Sequence, residues 1–165
     1  MIDFSKVYNA ISNVGGNTKE KGVSGNTKLY DELVQEGKRL MQEAFATSNF
    51  NPNRTQNLAD SYGSCLYVDG KEYPNSRRYL TPSGLATEPK KWYGRNIEGR
   101  EAVDDFFDSF SAKRGMIQLV VVAAMPYGAI VEIKYKYRVI AGISGGMQEL
   151  ARRYNGTVRD INPYQ

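Results

Sequence analysis

The sequence predicts an α+β domain in which a small, mostly antiparallel β-sheet packs against two or three amphipathic helices. Residues 27–47 and 98–110 place apolar side chains at helical spacing. Residues 116–125 are apolar at nearly every position, as expected of a central strand covered on both faces. Asp69-Gly70 follows a third β-rich stretch and favours a type I′ hairpin turn, which needs positive φ at both central residues. The 165 residues fit one domain with one core.

Two further helices are predicted near the ends of the chain. Residues 3–13 carry apolar side chains at helical spacing and are followed by a glycine pair, which ends a helix readily. A last helix is predicted at 147–154, before a short polar tail. The long helix from Thr27 has acidic residues early and basic residues late, an order that suits the helix macrodipole. It should stop within 47–53, where Pro and Asn residues gather.

The segment at about 15–28 contains the tetrapeptide GNTK twice, and its glycines and lysines invite comparison with a phosphate-binding loop. Such a loop needs a strand before it, the pattern GxxxxGK[ST], and a helix that begins at the lysine. Here no strand is predicted before the segment, and each threonine precedes its lysine. A flexible basic linker is therefore the favoured interpretation, with an anion contact as the alternative.

Residues 53–70, NRTQNLADSYGSCLYVDG, raise the question of whether they form a reaction centre or a framework. Thr55 or Asn57 is suited to cap a single helical turn that reaches Tyr62, and a strand then extends to the Asp-Gly turn. The returning strand is expected in broken form over 71–80. We interpret the segment as framework, with polar side chains that satisfy backbone groups.

Residues 81–97 are rich in Pro, Gly and charge, which indicates an exposed connection. The connection carries the only tryptophan, Trp92, beside Tyr93 and three basic residues. Three roles are open for this aromatic pair: stacking on nucleic-acid bases, anchoring a protein interface, or pinning the loop to its own core.

The predicted helix over 98–110 has an aromatic inner side and an acidic outer side with Asp104, Asp105 and Asp108. Asp104 and Asp108 are one turn apart, which is the spacing of a metal-binding or acid–base pair. No histidine or second acidic cluster is available to complete such a site. A solvated acidic face is therefore the favoured interpretation.

Within the stretch 129–141, residues 131–139 alternate strictly between apolar or tyrosine side chains and charged ones. A break is expected near 127–133, followed by a strand from about 135 to 141. In an extended strand the tyrosines point inward with the aliphatic residues, and the basic side chains form a separate outward row. The row consists of Lys134, Lys136 and Arg138. Aromatic and basic side chains on opposite faces cannot together form a platform for single-stranded nucleic acid.

Composition excludes several classes of chemistry. The chain has no histidine, so Ser-His-Asp, Cys-His and HExxH sites are ruled out. The single cysteine, Cys65, permits no intrachain disulfide, makes a zinc site implausible and is expected to be a buried thiol. No apolar run is long enough to span a bilayer and the start lacks a secretory signal, so a soluble chain that begins in a cytoplasm is expected. The net charge of +4 permits an anionic partner.

Two phrases carry a resemblance to a known family: RTQNLADS at 54–61, before a predicted strand, and MPYGAIVE at 125–132, after another. The chain resembles the small tail-completion or head–tail joining proteins of tailed bacteriophages, which often carry T-G-N-L-R-D-S and P-Y-A-x-x-V-E at such places. The likeness covers about residues 28–155. Gln56, Ala59 and Gly128 depart from the family pattern.

The resemblance implies a virion structural protein without catalytic residues, metal or cofactor. Its copies would form a homo-oligomeric ring at the neck, in contact with portal or connector proteins and with tail proteins, around the DNA passage. Assembly would take place in the cytoplasm of the host bacterium, without a membrane partner and with room for non-specific contact with packaged DNA.

Unlike charges on one domain suit a contact between identical subunits around a closed rotation. The candidate subunit-interface residues are Asp104, Asp105, Asp108, Lys134, Lys136, Arg138, Trp92 and Tyr93. A basic nucleic-acid-binding module is the alternative function, because the sequence pI is about 9.1 and the 15–28 linker is basic. An enzyme is the least favoured class.

Overall fold

The computed structural model describes residues 1–14, 26–48, 56–80, 90–92, 95–125 and 140–159. The helices in these residues are α1 (Ser5–Val14), α2 (Thr27–Thr47), α3 (Gln56–Asp60), α4 (Gly99–Ser109) and α5 (Ser144–Arg153). The strands are β1 (Ile2–Asp3), β2 (Tyr62–Val68), β3 (Lys71–Glu72), β4 (Arg78–Tyr79), β5 (Lys90–Trp92), β6 (Arg95–Ile97), β7 (Ile117–Ala123) and β8 (Thr157–Val158). A 3-10 turn at Ala141–Ile143 precedes α5.

Six strands form one sheet in the order β3-β2-β7-β1-β8, and β4 also pairs with β2. Every pairing in the described residues is antiparallel. The predicted α+β class, with a mostly antiparallel sheet against amphipathic helices, is therefore confirmed. Strands β5 and β6 form a separate two-stranded hairpin, which the sequence did not predict.

The predicted Asp-Gly hairpin joins β2 to β3. Asp69 and Gly70 have φ of 53° and 77°, the positive values that a type I′ turn requires. Val68 pairs with Lys71 across the turn. The returning chain is broken into β3 and β4, as predicted.

Strand β7 lies between β2 and β1 and is the centre of the sheet. Six of its seven residues are buried, which confirms the prediction of a strand covered on both faces. On one face Leu119 packs in the apolar cluster of α2, and on the other Val120 packs in the cluster of α4. The sheet is therefore the middle layer between two helical covers.

Helix α2 lies close to the sheet at a glycine. A Cβ added to Gly37 would lie 2.8 Å from Leu119 Cδ1 and 3.1 Å from Ser64 Oγ. Leu33 and Leu40, one turn before and after Gly37, are buried in the same apolar cluster. The predicted start at Thr27 and stop near Thr47 are both observed.

The first predicted helix begins later than the 3–13 expected from the sequence. Ile2 and Asp3 pair with β7 and β8 as strand β1, and the helix begins at Ser5. The Asp3 carboxylate accepts a hydrogen bond from the Ser5 N–H at 2.8 Å, which satisfies a backbone donor at the helix start. Similarly, Tyr62 is the first residue of β2 and not part of the preceding helical turn.

The predictions for the C-terminal part also need correction. Helix α5 begins at Ser144, three residues before the predicted Met147. Gly146 lies inside the helix and allows it to approach α2, because a Cβ there would lie 2.9 Å from Leu40 Cδ2. Thr157–Val158, expected to be polar tail, pairs with β1 as an edge strand.

Several predictions fall outside the described residues. These are the linker over 15–25, the connection over 81–89 and the alternating segment within 126–139. In the described part of the chain, no helix has the length and apolar character needed to cross a membrane.

Candidate functional site

Arg77, in the segment between β3 and β4, is the centre of a charged cluster that reaches α4. Its guanidinium donates to Glu72 Oε2 at 2.8 Å, to Asp108 Oδ1 at 2.5 Å and to Asp104 Oδ1 at 3.4 Å. The guanidinium also lies 5.7 Å from the centroid of the Phe107 ring. We call Arg77 with Glu72, Asp104 and Asp108 the Arg77 cluster. It joins the returning chain of the hairpin to the acidic side of α4.

Tyr79 on β4 extends this arrangement. Its hydroxyl donates a hydrogen bond to Asp104, and the Arg100 guanidinium lies 3.6 Å from the centroid of its ring. Burial and the hydrogen bond to Asp104 raise the pKa of Tyr79. Hydrogen bonds to Glu72, followed by those to Asp108, raise the pKa of Arg77 although burial opposes them. Ion pairs and hydrogen bonds thus hold this group of side chains between the returning chain and α4.

The structure brings the three acidic interface candidates onto one helix but gives them different surroundings. Asp104 and Asp108 are bound by Arg77, and the Asp108 side chain is still 67% exposed. Asp105 is exposed, and its side chain makes no hydrogen bond or ion pair in the described part of the chain. Only part of the predicted acidic face is thus available to another molecule.

Of the five remaining interface candidates, the structure describes only the backbone of Trp92. Trp92 lies in β5 opposite Arg95, and the surroundings of its side chain lie outside what the structure describes. The other four lie entirely outside the described residues: Tyr93, Lys134, Lys136 and Arg138. The predicted pairing of an acidic helix face with this basic row stays a prediction.

The phrase RTQNLADS supports the strand that follows it. Leu58 is fully buried, and Ser61 Oγ donates to the Leu58 carbonyl at 2.7 Å. The Ser61 carbonyl in turn accepts from the Ala124 N–H at 2.9 Å. These bonds fit the framework interpretation. Asp60 is the exception, since its buried Oδ1 has no hydrogen-bond partner among the residues that the structure describes.

The buried thiol predicted at Cys65 is confirmed. Burial raises its pKa to about 11, and its sulfur lies 3.4 Å from Ser76 Oγ. A thiol is nucleophilic as the thiolate, so Cys65 is unreactive at neutral pH. Within the described residues, no group of three or more acidic or cysteine side chains could hold a metal ion.

A groove between α2 and α5 is lined by charged side chains that pair with one another. Glu36 accepts from Arg39 at 2.7 Å and from Arg153 at 3.1 Å. Burial opposes ionisation of Glu36, but the two arginines outweigh it and lower its pKa. Arg39 also donates to Glu43 at 2.9 Å. The Glu36–Arg153 pair joins α2 to α5, and the two Arg39 pairs lie within α2.

Sequence reasoning did not single out Arg77. Its partner nearest in sequence, Glu72, lies five residues earlier, on the other side of the turn at Pro74 and Asn75. Two residues of opposite charge on either side of a tight turn are a signal that could have identified this pair. Its partners on α4 are 27 and 31 residues away and leave no local pattern.

Comparison with protein-family models, with curated proteins and with solved structures gives no match for this chain. The described residues form a small α+β domain with a buried apolar core, paired charges and several exposed charged side chains. The two short phrases and this geometry are therefore the basis for a functional proposal.

Proposed function

We propose that the chain is a structural protein of a tailed-bacteriophage virion. It acts as a neck or tail-completion protein whose copies form a ring between the head or portal connector and the tail. The observation that carries the proposal is the position of RTQNLADS, which ends at Ser61, one residue before the buried strand β2. The resembling family has its corresponding phrase at such a place.

The surface of the domain is compatible with assembly. A ring of identical subunits needs two unlike patches that fit each other around the rotation. The side of α4 with Asp105 and Asp108 is an acidic patch. Each exposed ion pair adds at most about 1 kcal/mol. Charge would therefore set the register between subunits, while apolar contacts would hold them together.

The proposed action is mechanical and uses no reaction step. Buried apolar clusters on both faces of the sheet give each subunit a fixed shape. The Arg77 cluster fixes the hairpin against α4 and so keeps the outer surface in one arrangement. Non-specific contact with DNA in the passage is part of the proposal, and a cofactor is not.

The first test is whether the purified protein forms rings. Sedimentation and negative-stain electron microscopy should show a closed oligomer, and labelled antibody should mark the neck of virions. Reversal of the predicted basic row, K134E/K136E/R138E, should block assembly and leave the circular dichroism of the monomer unchanged. Normal rings from this variant would remove that row from the interface. A protein that stays monomeric at every concentration and is missing from virion necks would contradict the proposal.

A nucleic-acid-binding module is the second candidate. It is favoured by three exposed basic residues at one end of the sheet: Lys71, Lys113 and Arg114. Titration of duplex DNA at increasing salt separates the two functions. A dedicated binder with several phosphate contacts should lose about a thousandfold in affinity between low and moderate salt. A subunit that only lines a DNA passage should bind free duplex weakly at all salt concentrations.

A further inference from the structure

One end of the domain carries a basic group built from two distant segments. We call Lys71, Lys113 and Arg114 the basic end. All three are exposed, and none forms a side-chain hydrogen bond or ion pair in the described part of the chain. Lys71 follows the β2–β3 turn, and the other two lie in the loop before β7.

The two segments are fixed to each other. The Gly115 N–H donates to Asp69 Oδ1 at 2.8 Å, and the Asp69 N–H donates to the Met116 carbonyl at 2.9 Å. Gly70 lies so close to Arg114 that a Cβ there would be 3.0 Å from Arg114 Cγ. The three basic side chains therefore start from one rigid platform.

Helix α4 carries a complementary group that begins at its N-terminal end. We call Glu98, Glu101 and Asp105 the acidic end. They are three and four residues apart, so they share one stripe of the helix. All three are exposed, and in the described residues none has a side-chain partner. Glu98 is the N-cap residue, but its side chain does not cap the helix.

The acidic group begins at the N-terminal end of α4, and the basic end lies beyond the C-terminal end of the helix. The helix runs along β2 in the same direction, because Val103 lies over Gly63 and the Phe110 ring lies 5.0 Å from the Tyr67 ring. The C-terminal end of α4 is thus next to the β2–β3 turn. Along the helix axis, Glu98 and Glu101 lie roughly 16 Å and 12 Å from the C-terminal end of α4, more than a Debye length at physiological salt, and Asp105 lies about 6 Å from it. Glu98 and Glu101 are therefore too far from the basic end to be neutralised by it within one subunit.

We propose that the basic end of one copy docks on the acidic end of the next copy, so that subunits join head to tail. This inference rests on the proposed ring function and names the contact that forms the ring. A second copy is the fitting partner because, in the part of the chain that the structure describes, three exposed charges of each sign have no side-chain partner. A contact between two unlike patches repeats from subunit to subunit and closes if the rotation permits.

The test uses two charge-reversed variants of the full chain. The basic end is reversed by K71E/K113E/R114E, and the acidic end by E98K/E101K/D105K. Each variant alone should associate about tenfold or more weakly than the wild type in sedimentation, because like charges then meet. An equimolar mixture should recover assembly. Native mass spectrometry with one variant isotope-labelled should show the two alternating in the oligomer.

A matched control carries the same change in net charge as the basic-end variant, but elsewhere on the domain. The variant K28E/K38E/R152E alters exposed residues of α2 and α5 and should assemble like the wild type. Circular dichroism checks that each variant is folded. If a reversed variant does not fold, the neutral sets K71Q/K113Q/R114Q and E98Q/E101Q/D105N replace it, with weaker association as the expected result.

The possible outcomes separate the inference from the function on which it rests. Wild-type protein that never assembles contradicts both. Wild-type rings together with normal rings from either reversed variant overturn only the inference. The same holds if both variants are monomeric but their mixture does not recover. Loss of duplex-DNA binding with unchanged assembly would assign the basic end to nucleic acid and overturn the inference as well.

Discussion

Two neighbouring residues of strand β2, Leu66 and Cys65, lie on opposite faces of the sheet and have different surroundings. Leu66 lies in the large apolar cluster under α2, and Cys65 lies in the smaller cluster under α4. Both are fully buried. The α2 side is mostly apolar, and the buried Ser64 hydroxyl beside Gly37 is an exception. The α4 side includes a thiol, a serine hydroxyl and, at its rim, the Arg77 cluster.

The comparison separates the source of stability from the surface available for function. The α2 side buries more apolar area and should supply most of the free energy of folding. On the α4 side, hydrogen bonds and partly exposed ion pairs fix positions but each contributes little. The charges proposed for assembly are exposed, on α4 and beyond its C-terminal end, so they can change with small effect on the core.

The largest expected difference comes from the neighbouring pair on β2. Leu66→Ala should lower the free energy of unfolding by about 3 kcal/mol, because it opens a cavity under α2. Cys65→Ala removes one sulfur atom and its contact with Ser76 and should cost about 1 kcal/mol. Urea unfolding followed by circular dichroism measures both. Equal losses would show that the two faces contribute alike.

The second prediction concerns the glycines through which each helix meets the sheet. On the α4 side, a Cβ on Gly63 would overlap Val103 Cγ1 and lie 3.0 Å from the Phe107 ring. Val103 is β-branched and stiff, so α4 must shift and Gly63→Ala should cost about 2 kcal/mol.

Gly37→Ala is the matched change on the α2 side. It meets the flexible end of Leu119, and alanine is favoured over glycine within a helix. Its net effect should lie within about 0.5 kcal/mol of zero. Chemical unfolding of the two variants tests the difference, and a larger loss for Gly37→Ala would contradict it.

The third prediction compares two arginines. Arg77→Met keeps packing on Phe107 but removes three ion pairs, at about 0.5 kcal/mol each and roughly 1.5 kcal/mol in all. Arg39→Met on α2 removes two more exposed pairs and should cost about half as much. Salt should reduce both losses. A larger loss for Arg39→Met would place the more important charges on the α2 side.

The parts of the fold that were predictable have local signals. Helices α2 and α4 show a period of 3.6 residues over more than two turns, and the Asp69-Gly70 turn needs only its own two residues. Strands β1 and β8 have two residues each, too few to show a period. They pair across almost the whole chain, Ile2 with Val158, and only the folded structure reveals this.

The candidate site was predictable to a smaller extent for the same reason. The acidic side of α4, including Asp105, follows from helical spacing alone. That Asp104 is bound by Arg77 depends on packing between segments far apart in sequence. The basic end likewise combines Lys71 with Lys113, which are brought together by the β2–β7 pairing. Sequence patterns give the faces of an element, while tertiary structure decides which charges are already paired.

The smallest expected effect is a difference in the pH dependence of stability between the wild type and Cys65→Ala. The native pKa of Cys65 is raised by burial from 9.0 to about 11. The unfolded thiol therefore loses its proton first as pH rises, and the stability linked to it is complete below about pH 9 and lost towards pH 11. At about pH 9.5 the wild type should have lost about 0.8 kcal/mol more than Cys65→Ala, relative to neutral pH.

Ionisation of the tyrosines is common to the two proteins in this experiment, so it largely cancels. The measurement is urea unfolding of both proteins at neutral pH and at about pH 9.5. The native wild type should also react slowly with a thiol reagent at both pH values, because the thiolate is the reactive form and burial disfavours it. Equal losses of stability, or fast reaction of the native thiol, would mean that water reaches the α4 side of the sheet. The α4 side would then be more open to solvent than the structure indicates, and the difference between the α2 side and the α4 side would be larger.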